Sequence, residues 1–194
     1  MADSVRGMLL SGDVHEGRFS RRLTRFSGEV ITGGRRVLAH IPNSGRLGEL
    51  LVPGRRVLLR RERGNERKTP YDLLYVAGGS RWVCIDARQP PRLVEEAVQC
   101  ERIPELKGLR PFRREIPLDG GRIDLLLRGR RAPCYVETKA VTLVVSGTAI
   151  FPDAPTDRGR RHLLALLKAY RSGFRGAVIF VVQRADARRF APNW

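Results

Sequence analysis

The sequence is poor in cysteine, histidine and lysine, and it has no long apolar run. Its 194 residues include three cysteines, three histidines and four lysines. Cys84, Cys100 and Cys134 lack the paired spacing of a zinc site, and an odd number argues against a disulfide scaffold. No apolar stretch reaches the roughly 20 residues of a transmembrane helix, and no charged-then-apolar leader opens the chain. These absences predict a cytoplasmic protein with reduced thiols.

Negative charge is also scarce. The chain has 37 Lys and Arg against 20 Asp and Glu, which gives a net charge of +17 and a pI near 11.3. Both halves are basic, which suits a long polyanion lying across the molecule. A genome of high GC content is the alternative cause, because 33 of the 37 basic residues are arginine. Nucleic acid is the expected partner, and an anionic membrane surface is the lesser alternative.

The first half of the chain shows short strand patterns separated by tight turns. Residues 1–17 are expected to form a loosely held leader segment that precedes the first domain and is not a targeting signal. Residues 32–34, Thr-Gly-Gly, predict a hairpin turn. Five strands are predicted, at 29–31, 35–41, 55–61, 71–77 and 81–86, with a short helix at 46–51. This pattern predicts a small closed barrel such as an OB-fold over residues 18–88.

Basic and aromatic residues interleave along the predicted barrel. Single-strand binding uses this mixture, because bases stack on rings and phosphates pair with cations. The candidate nucleic-acid contacts are Arg22, Arg25, Arg60, Lys68 and Tyr71. The alternative for neighbouring aromatic residues such as Phe26, Tyr75 and Trp82 is that they fill the barrel.

The second half, residues 89–194, is predicted to be a mixed α/β domain that begins at Gln89-Pro90-Pro91. A helix is expected at 92–101, and an amphipathic helix at 158–172. The apolar positions of the second helix are Leu163, Leu166, Leu167 and Tyr170. Residues 176–182 form an apolar run that is typical of a buried central strand.

Two acidic residues in the second half predict a site. Asp124 and Glu137 each lie in a short apolar run, with the basic turn 128–131 between the runs. The pattern indicates a β-hairpin in which position 124 lies opposite position 137. Side chains alternate along a strand, so Lys139 shares the face of Glu137. Facing carboxylates repel each other, and a divalent cation would relieve that repulsion.

The residue types suit metal-dependent chemistry. Carboxylates favour Mg²⁺ or Mn²⁺, whose bound water becomes a nucleophile near neutral pH. Lys139 could orient that water or neutralise a phosphate. Glu96 and Glu115 are candidates for a further carboxylate, with Glu95 less favoured. The alternative is a chance trio on solvated strands.

A second polar cluster comprises Asp153, Thr156, Arg158 and His162. Arg158 and His162 are four residues apart and share a helix face. They could contact a phosphate beside the metal. Equally, Asp153 or Thr156 could cap the helix below a solvated face.

Several stretches, taken in order, resemble the sugar fermentation stimulation protein family. They include His40-Ile-Pro-Asn-Ser-Gly45, Arg67-Lys-Thr-Pro-Tyr71, Glu137-Thr-Lys-Ala-Val-Thr-Leu143 and Phe151-Pro-Asp-Ala-Pro-Thr156. The resemblance implies an OB-like N-terminal domain and a C-terminal domain similar to the PD-(D/E)XK nucleases. It also implies DNA binding and a link to maltose metabolism.

The resemblance places Asp124, Glu137 and Lys139 at the catalytic acid, acid and lysine of the nuclease superfamily. Glu115 and Glu96 fall at further acidic family positions. The chain departs from the family in having Glu-Thr-Lys-Ala for the usual Glu-Val-Lys-Ser, and it is expected to be short at its C-terminus by about one helix and strand.

Three hypotheses about function remain open from the sequence. The first is a DNA-binding protein with a metal-dependent nuclease site, which would bind single-stranded or duplex DNA largely without sequence preference and could associate with the nucleoid. The second is a non-enzymatic DNA-binding regulator that retained the nuclease fold. The third is RNA binding or processing, because OB-folds serve both polymers.

Overall fold

The chain forms two compact units, Met1–Asp86 and Ala87–Trp194. A computed structural model describes residues 12–62, 67–130, 132–154 and 157–193. None of the helices in this described part combines the length and apolarity needed to cross a membrane.

The first unit is a closed barrel. Its strands are β1 (Val14–Thr24), β2 (Ser27–Thr32), β3 (Arg35–His40), β4 (Arg56–Arg61), β5 (Tyr71–Gly78) and β6 (Arg81–Cys84). They form one sheet in the order β3-β2-β1-β4-β5-β6, and a parallel pairing of β3 with β5 closes it. The predicted turn joins β2 to β3, with Gly33 and Gly34 at φ 54° and 73°. The OB-like barrel predicted from the sequence is confirmed.

Strand β1 is absent from the sequence prediction, and residues 14–17, expected in the leader, belong to it. Its buried residues are Gly17 and Phe19, so it shows no apolar alternation. A Cβ atom at position 17 would lie 2.7 Å from Val30 Cγ1, which explains a glycine within a central strand. The helix predicted at 46–51 is also wrong: these residues form turns, with Leu47 at φ 52°.

The second unit contains two α-helices, a short 3₁₀ helix (Pro104–Leu106) and two small sheets in its described part. The α-helices are α1 (Gln89–Gln99) and α2 (Asp157–Arg171). The strands are β7 (Leu109–Leu118), β8 (Gly121–Gly129), β9 (Cys134–Val141), β10 (Val144–Val145), β11 (Thr148–Phe151), β12 (Arg175–Val182) and β13 (Arg189–Pro192). One sheet has the order β12-β9-β8-β7, and the other has the order β10-β11-β13.

Helix α1 packs on one face of the four-stranded sheet. Val94 and Val98 join a core that includes Leu125, Leu127 and Val136. Cys134 is part of this core, and burial raises the pKa of its thiol, as expected of an inert core cysteine.

Two sequence predictions for this unit need correction. Strand β12 lies at the edge of the described sheet rather than at its centre, and its Phe180 is 40% exposed. The buried residues of α2 are His162, Ala165, Leu166 and Ala169, whereas Leu163, Leu167 and Tyr170 are exposed. The sequence prediction assigned the largest apolar side chains to the buried face. The face that packs on the sheet instead carries two alanines and a histidine beside Leu166.

Arg22, a predicted nucleic-acid contact, has a structural role in the barrel. Its guanidinium donates to five backbone carbonyls, those of Thr24, Arg25, Asn43, Gly45 and Arg46, at 2.6–3.2 Å. These bonds tie the loop after β3 to the turn between β1 and β2. The Arg22 side chain therefore stabilises the barrel through its contacts with the backbone.

We expect Arg22→Ala to destabilise the protein by about 2 kcal/mol, because charge-assisted hydrogen bonds to several carbonyls are removed. Arg25→Ala, which removes an exposed neighbour, should leave the stability within about 0.5 kcal/mol of wild type. Urea unfolding of both variants measures the difference. Equal stabilities would contradict the structural role of Arg22.

Candidate functional site

The β8–β9 hairpin brings the two predicted acids together. Its ladder pairs Leu127 with Cys134 and Leu125 with Val136. These pairs have the predicted register, and the ladder ends at Leu125 and Val136, one residue before each acid, so the opposed placement of positions 124 and 137 stays a prediction. Beyond the end of the ladder, the amide of Thr138 donates to Asp124 Oδ2 at 2.7 Å.

Asp124 is held by Thr138 and is largely withdrawn from solvent. The Thr138 hydroxyl also donates to Oδ2, again at 2.7 Å. Burial raises the pKa of the Asp124 carboxyl, and the nearby Glu137 carboxylate raises it further. The Thr138 bonds and the Lys139 ammonium act in the opposite direction, but burial is the largest effect. The negative charge of the Asp124 carboxylate is therefore only partly compensated by Thr138 and Lys139.

Glu137 is the most buried charged residue of the site. Its side chain is 3% exposed. Oε1 contacts the Lys139 ammonium and lies 2.5 Å from His162 Nδ1. Oε2 is buried and has no hydrogen-bond partner among the described residues. Because a buried charged oxygen without a partner is costly, Oε2 points to a ligand.

His162 reaches the site from α2. Arg158, one helical turn earlier, has its Nε 3.4 Å from His162 Nε2. Arginine can only donate, so Nε2 is the acceptor and Nδ1 carries the proton toward Glu137. His162 is thereby assigned as the neutral Nδ1–H tautomer. Its 25-residue separation from Glu137 left this contact without a sequence signal.

A cleft of about 580 Å³ opens beside His162. One wall is the β7–β8 turn, residues 118–121, and the other is the first half of α2. Arg122, Arg158 and Arg161 line it. These three guanidinium groups make the cleft a favourable place for an anion, and His162, which also lines it, connects the cleft to Glu137.

The two further acids predicted from the sequence lie outside this cluster. Glu115 is at φ 47°, its side chain is 73% exposed, and it pairs with Arg122 at 3.3 Å. Glu96 lies on α1 between the buried Val94 and Val98, and it is Glu95 that pairs with a strand residue, Arg114. Within the described ranges, no group of three or more His, Cys, Asp or Glu is arranged to hold a metal.

Two predicted contacts of the barrel have partners inside it. Arg60 lies 2.6 Å from Glu62 and 3.7 Å from the buried Asp72. Tyr71 packs against the barrel core and meets His15 edge to face at 5.5 Å. Both side chains therefore contribute to packing.

The other two barrel candidates, Arg25 and Lys68, are exposed. In the second polar cluster, Asp153 precedes α2, while Thr156 lies outside the described residues, so capping by Thr156 stays a prediction. No site role was predicted for Thr138, Arg122 or Arg161. The signal for Thr138 was available, because it stands between the two charged residues of β9.

Two family models match the chain. One is described as the SfsA N-terminal OB domain and matches residues 21–85. The other is described as the sugar fermentation stimulation protein RE domain and matches residues 88–194.

Proteins of similar sequence or structure carry the name of the family that these two models describe. The chain is 46% identical over 183 residues to a sugar fermentation stimulation protein homolog of Natranaerobius thermophilus, covering 92% of this chain and 76% of that one. A homolog from Geobacter sp. (strain M21) is 43% identical over 187 residues, with coverage of 95% and 81%. The solved structure of Pyrococcus furiosus SfsA in complex with Ca²⁺ has a TM-score of 0.87 and 33% identity, with coverage of 95% and 79%.

We expect Asp124→Asn to raise the melting temperature of the metal-free protein at neutral pH by a few degrees. A carboxyl whose pKa is raised on folding favours the folded state below its ordinary pKa and loses that contribution as pH rises through the folded value. Asparagine keeps an oxygen for Thr138 and removes the charge that burial disfavours.

The gain should shrink as the pH falls below the ordinary range of an aspartate, because the wild-type carboxyl is then protonated as well. Thermal melts in a chelator across this pH range measure it. A wild type that is more stable than the variant at neutral pH would contradict the assignment.

Proposed function

The chain belongs to the sugar fermentation stimulation protein family, and we propose that it is a DNA-binding protein with a divalent-metal-dependent phosphodiesterase site. The observation that carries the proposal is the buried Oε2 of Glu137, which has no hydrogen-bond partner among the described residues, beside the desolvated carboxyl of Asp124. A single cation bound by both residues would compensate both charges.

The residues present fit a hard divalent cation. Mg²⁺ is usually held by one or two carboxylates and keeps several waters, so Asp124 and Glu137 suffice. The Pyrococcus furiosus relative was solved with Ca²⁺, which also prefers oxygen ligands. When bound, such a cation supplies a nucleophilic water and stabilises negative charge on a phosphate.

Thr138 and His162 orient the two acids. Both Thr138 donors engage the same oxygen of Asp124, which leaves Oδ1 as the oxygen for a cation. The Nδ1–H of His162 holds Oε1 of Glu137 in the same way. Each acid thus has one oxygen fixed by the protein.

Lys139 supplies a positive charge that can act on the substrate. Its ammonium contacts Glu137 with one of three possible donors, and its side chain is 15% exposed. The remaining donors can serve a phosphate oxygen or the attacking water, where charge develops in the transition state.

The basic surface supplies affinity for the polymer. The net charge of +17 and the match to an OB domain support binding to nucleic acid. We assign phosphate contacts to Arg25 and Lys68 on the barrel and to Arg158 at the cleft. The three free cysteines agree with a location in the cytoplasm.

A non-enzymatic DNA-binding regulator of maltose metabolism is the second candidate. The observation that favours it is the absence of a third acidic, histidine or cysteine ligand around Asp124 and Glu137 among the described residues. Such a protein would keep the two acids for a structural cation, or for none.

We expect Mg²⁺ or Mn²⁺ to raise the melting temperature of the wild type by about 5–10 °C at a hundredfold excess over Kd. Asp124→Asn should abolish this shift together with cleavage of labelled DNA. Lys139→Ala should keep most of the shift but lose about 100- to 1000-fold in cleavage rate, because its work is in the transition state.

Two carboxylate variants serve as controls. Glu105→Gln changes an exposed carboxylate outside the site and should behave as the wild type. Glu115→Gln tests the third acid, and an unchanged metal shift would exclude it as a ligand. A metal shift without cleavage of single-stranded, duplex or branched DNA or of RNA would favour the regulator, and no shift at all would refute the metal site.

The affinity for DNA should be largely electrostatic. Log K should fall with log[salt] with a slope of about −0.9 per phosphate bound on duplex and about −0.7 on single strands. Replacing Arg25 and Lys68 together by alanine should make the slope shallower by about one for each phosphate that is no longer bound, with no change in melting temperature. A slope near zero, or a strong preference for one operator sequence, would contradict this prediction.

A further inference from the structure

The cleft beside His162 is lined by both cationic and apolar side chains. Arg158 and Arg161 belong to the wall formed by α2, and Pro117 and Leu118 belong to the opposite wall, at the end of β7. Ligand pockets commonly enclose about 300–1,000 Å³. A cleft of about 580 Å³ therefore has room for a small organic molecule, whereas an inorganic ion would leave most of it to water.

The carboxylates at the β7–β8 turn are already paired with cations. Asp119 lines the cleft, and its Oδ1 lies 2.5 Å from the Lys168 ammonium. Glu115 lies 3.3 Å from Arg122, the arginine on this wall of the cleft. Each of these two pairs is electrically balanced, so neither adds net charge to the cleft.

The two arginines of α2 keep their charge uncompensated. In the part of the chain that the structure describes, neither Arg158 nor Arg161 forms an ion pair with a carboxylate, and Asp157 is outside the cleft lining. The cleft thus has an excess of two positive charges. A phosphate within a strand carries one negative charge, whereas a phosphate monoester carries about −1.5 to −2 at neutral pH. The monoester matches the excess charge, and guanidinium groups bind phosphate oxygens in pairs.

Contacts between the two walls hold the cleft in shape. Lys168 on α2 binds Asp119 in the β7–β8 turn. In the same turn, a Cβ atom at Gly121 would lie 3.8 Å from Cδ2 of His162, so the turn backbone lies against the imidazole ring. Arg158 places its Nε 3.4 Å from Nε2 of the same ring, which leaves its other donors for a ligand. A site that is formed before binding loses less entropy when the ligand arrives.

We propose that this cleft binds a phosphate monoester carried by a nucleotide, with Arg158 and Arg161 holding the phosphate and Pro117 and Leu118 contacting the nucleoside. The phosphorylated end of a nucleic-acid strand and a free mononucleotide share this chemistry. The choice of a nucleotide rests on the proposed function, in which the chain binds nucleic acid. The phosphate site itself requires neither the cation nor cleavage.

The position of the cleft connects a bound strand end with the proposed metal site. The His162 ring directs Nε2 toward Arg158 and Nδ1 toward Glu137. A terminal phosphate on Arg158 thus lies on one side of the ring that orients Glu137 on its other side. We therefore expect strand ends to be bound in preference to strand interiors.

The test compares single-stranded oligodeoxynucleotides of one sequence that carry either a phosphate or a hydroxyl at the 5′ or the 3′ end, with a fluorophore at the opposite end. Anisotropy is measured in a chelator at about 0.15 M salt, where charges more than about 8 Å apart are largely screened. The wild type should bind a phosphorylated strand about tenfold more tightly than the hydroxyl strand, because charge-assisted hydrogen bonds form. Arg161→Gln should remove this preference and leave the affinity for the hydroxyl strand nearly unchanged.

Arg171→Gln is the matched control. Arg171 is an exposed arginine at the last residue of the same helix and outside the cleft, so its variant should keep the preference for the phosphate. Melting temperatures show whether both variants fold. If Arg161→Gln does not fold, calorimetric titration of the wild type with adenosine 5′-monophosphate and with adenosine tests the phosphate site without a substitution.

The same titration distinguishes the two sources of the ligand. A strand preference that Arg161→Gln removes identifies the strand end. Binding of adenosine 5′-monophosphate but not adenosine, without any strand preference, identifies a free mononucleotide. Absence of both effects, or equal losses in Arg161→Gln and Arg171→Gln, would overturn the proposal.

These outcomes are separate from those for the nuclease, because binding is measured without metal. A strand preference in a protein that shows no metal shift and no cleavage would keep the phosphate site and reject the enzyme. Metal-dependent cleavage with no effect of a terminal phosphate or of the mononucleotide would do the reverse.

Discussion

The burial of the Glu137 carboxylate is the constraint around which the second unit is arranged. A carboxylate that is 3% exposed requires compensation, and two side chains from different elements approach the same oxygen. Lys139 comes from the same strand, and His162 comes from the buried face of α2. The helix that covers the sheet thus also orients Glu137, while the second oxygen, Oε2, has no partner within the described ranges.

Local sequence patterns predicted the hairpin that carries the two acids. They did not predict strand β1 or the contact between α2 and Glu137, and each failure has a physical reason. The register of the β8–β9 hairpin followed from two apolar runs and a basic turn, and the structure shows that register as far as Leu125 and Val136, the neighbours of the two acids. Strand β1 was missed because its polar residues face outward and a glycine occupies its crowded centre. The contact of His162 with Glu137 depends on the packing of α2, which no local pattern determines.

Composition supports an affinity for polyanions but does not identify the residues that would make the contacts. A chain with 33 arginines supports affinity for a polyanion, but it does not say which arginines face outward. Arg22 donates to five carbonyls and Arg60 pairs with Glu62, so both are used to hold the barrel together. Because guanidinium groups satisfy several acceptors at once, a basic protein can use part of its charge internally.

The choice of lysine at position 139 is informative in a chain so rich in arginine. An arginine beside Glu137 would offer a planar fork that pairs with both carboxylate oxygens at once. That pairing would neutralise the acid and occupy Oε2, which has no partner in the part of the chain that the structure describes. Lysine is a compact point charge, and here its ammonium contacts Oε1 of Glu137. The residue type therefore preserves Glu137 as an acceptor while keeping a cation within reach, as a metal-assisted reaction on a phosphate would need.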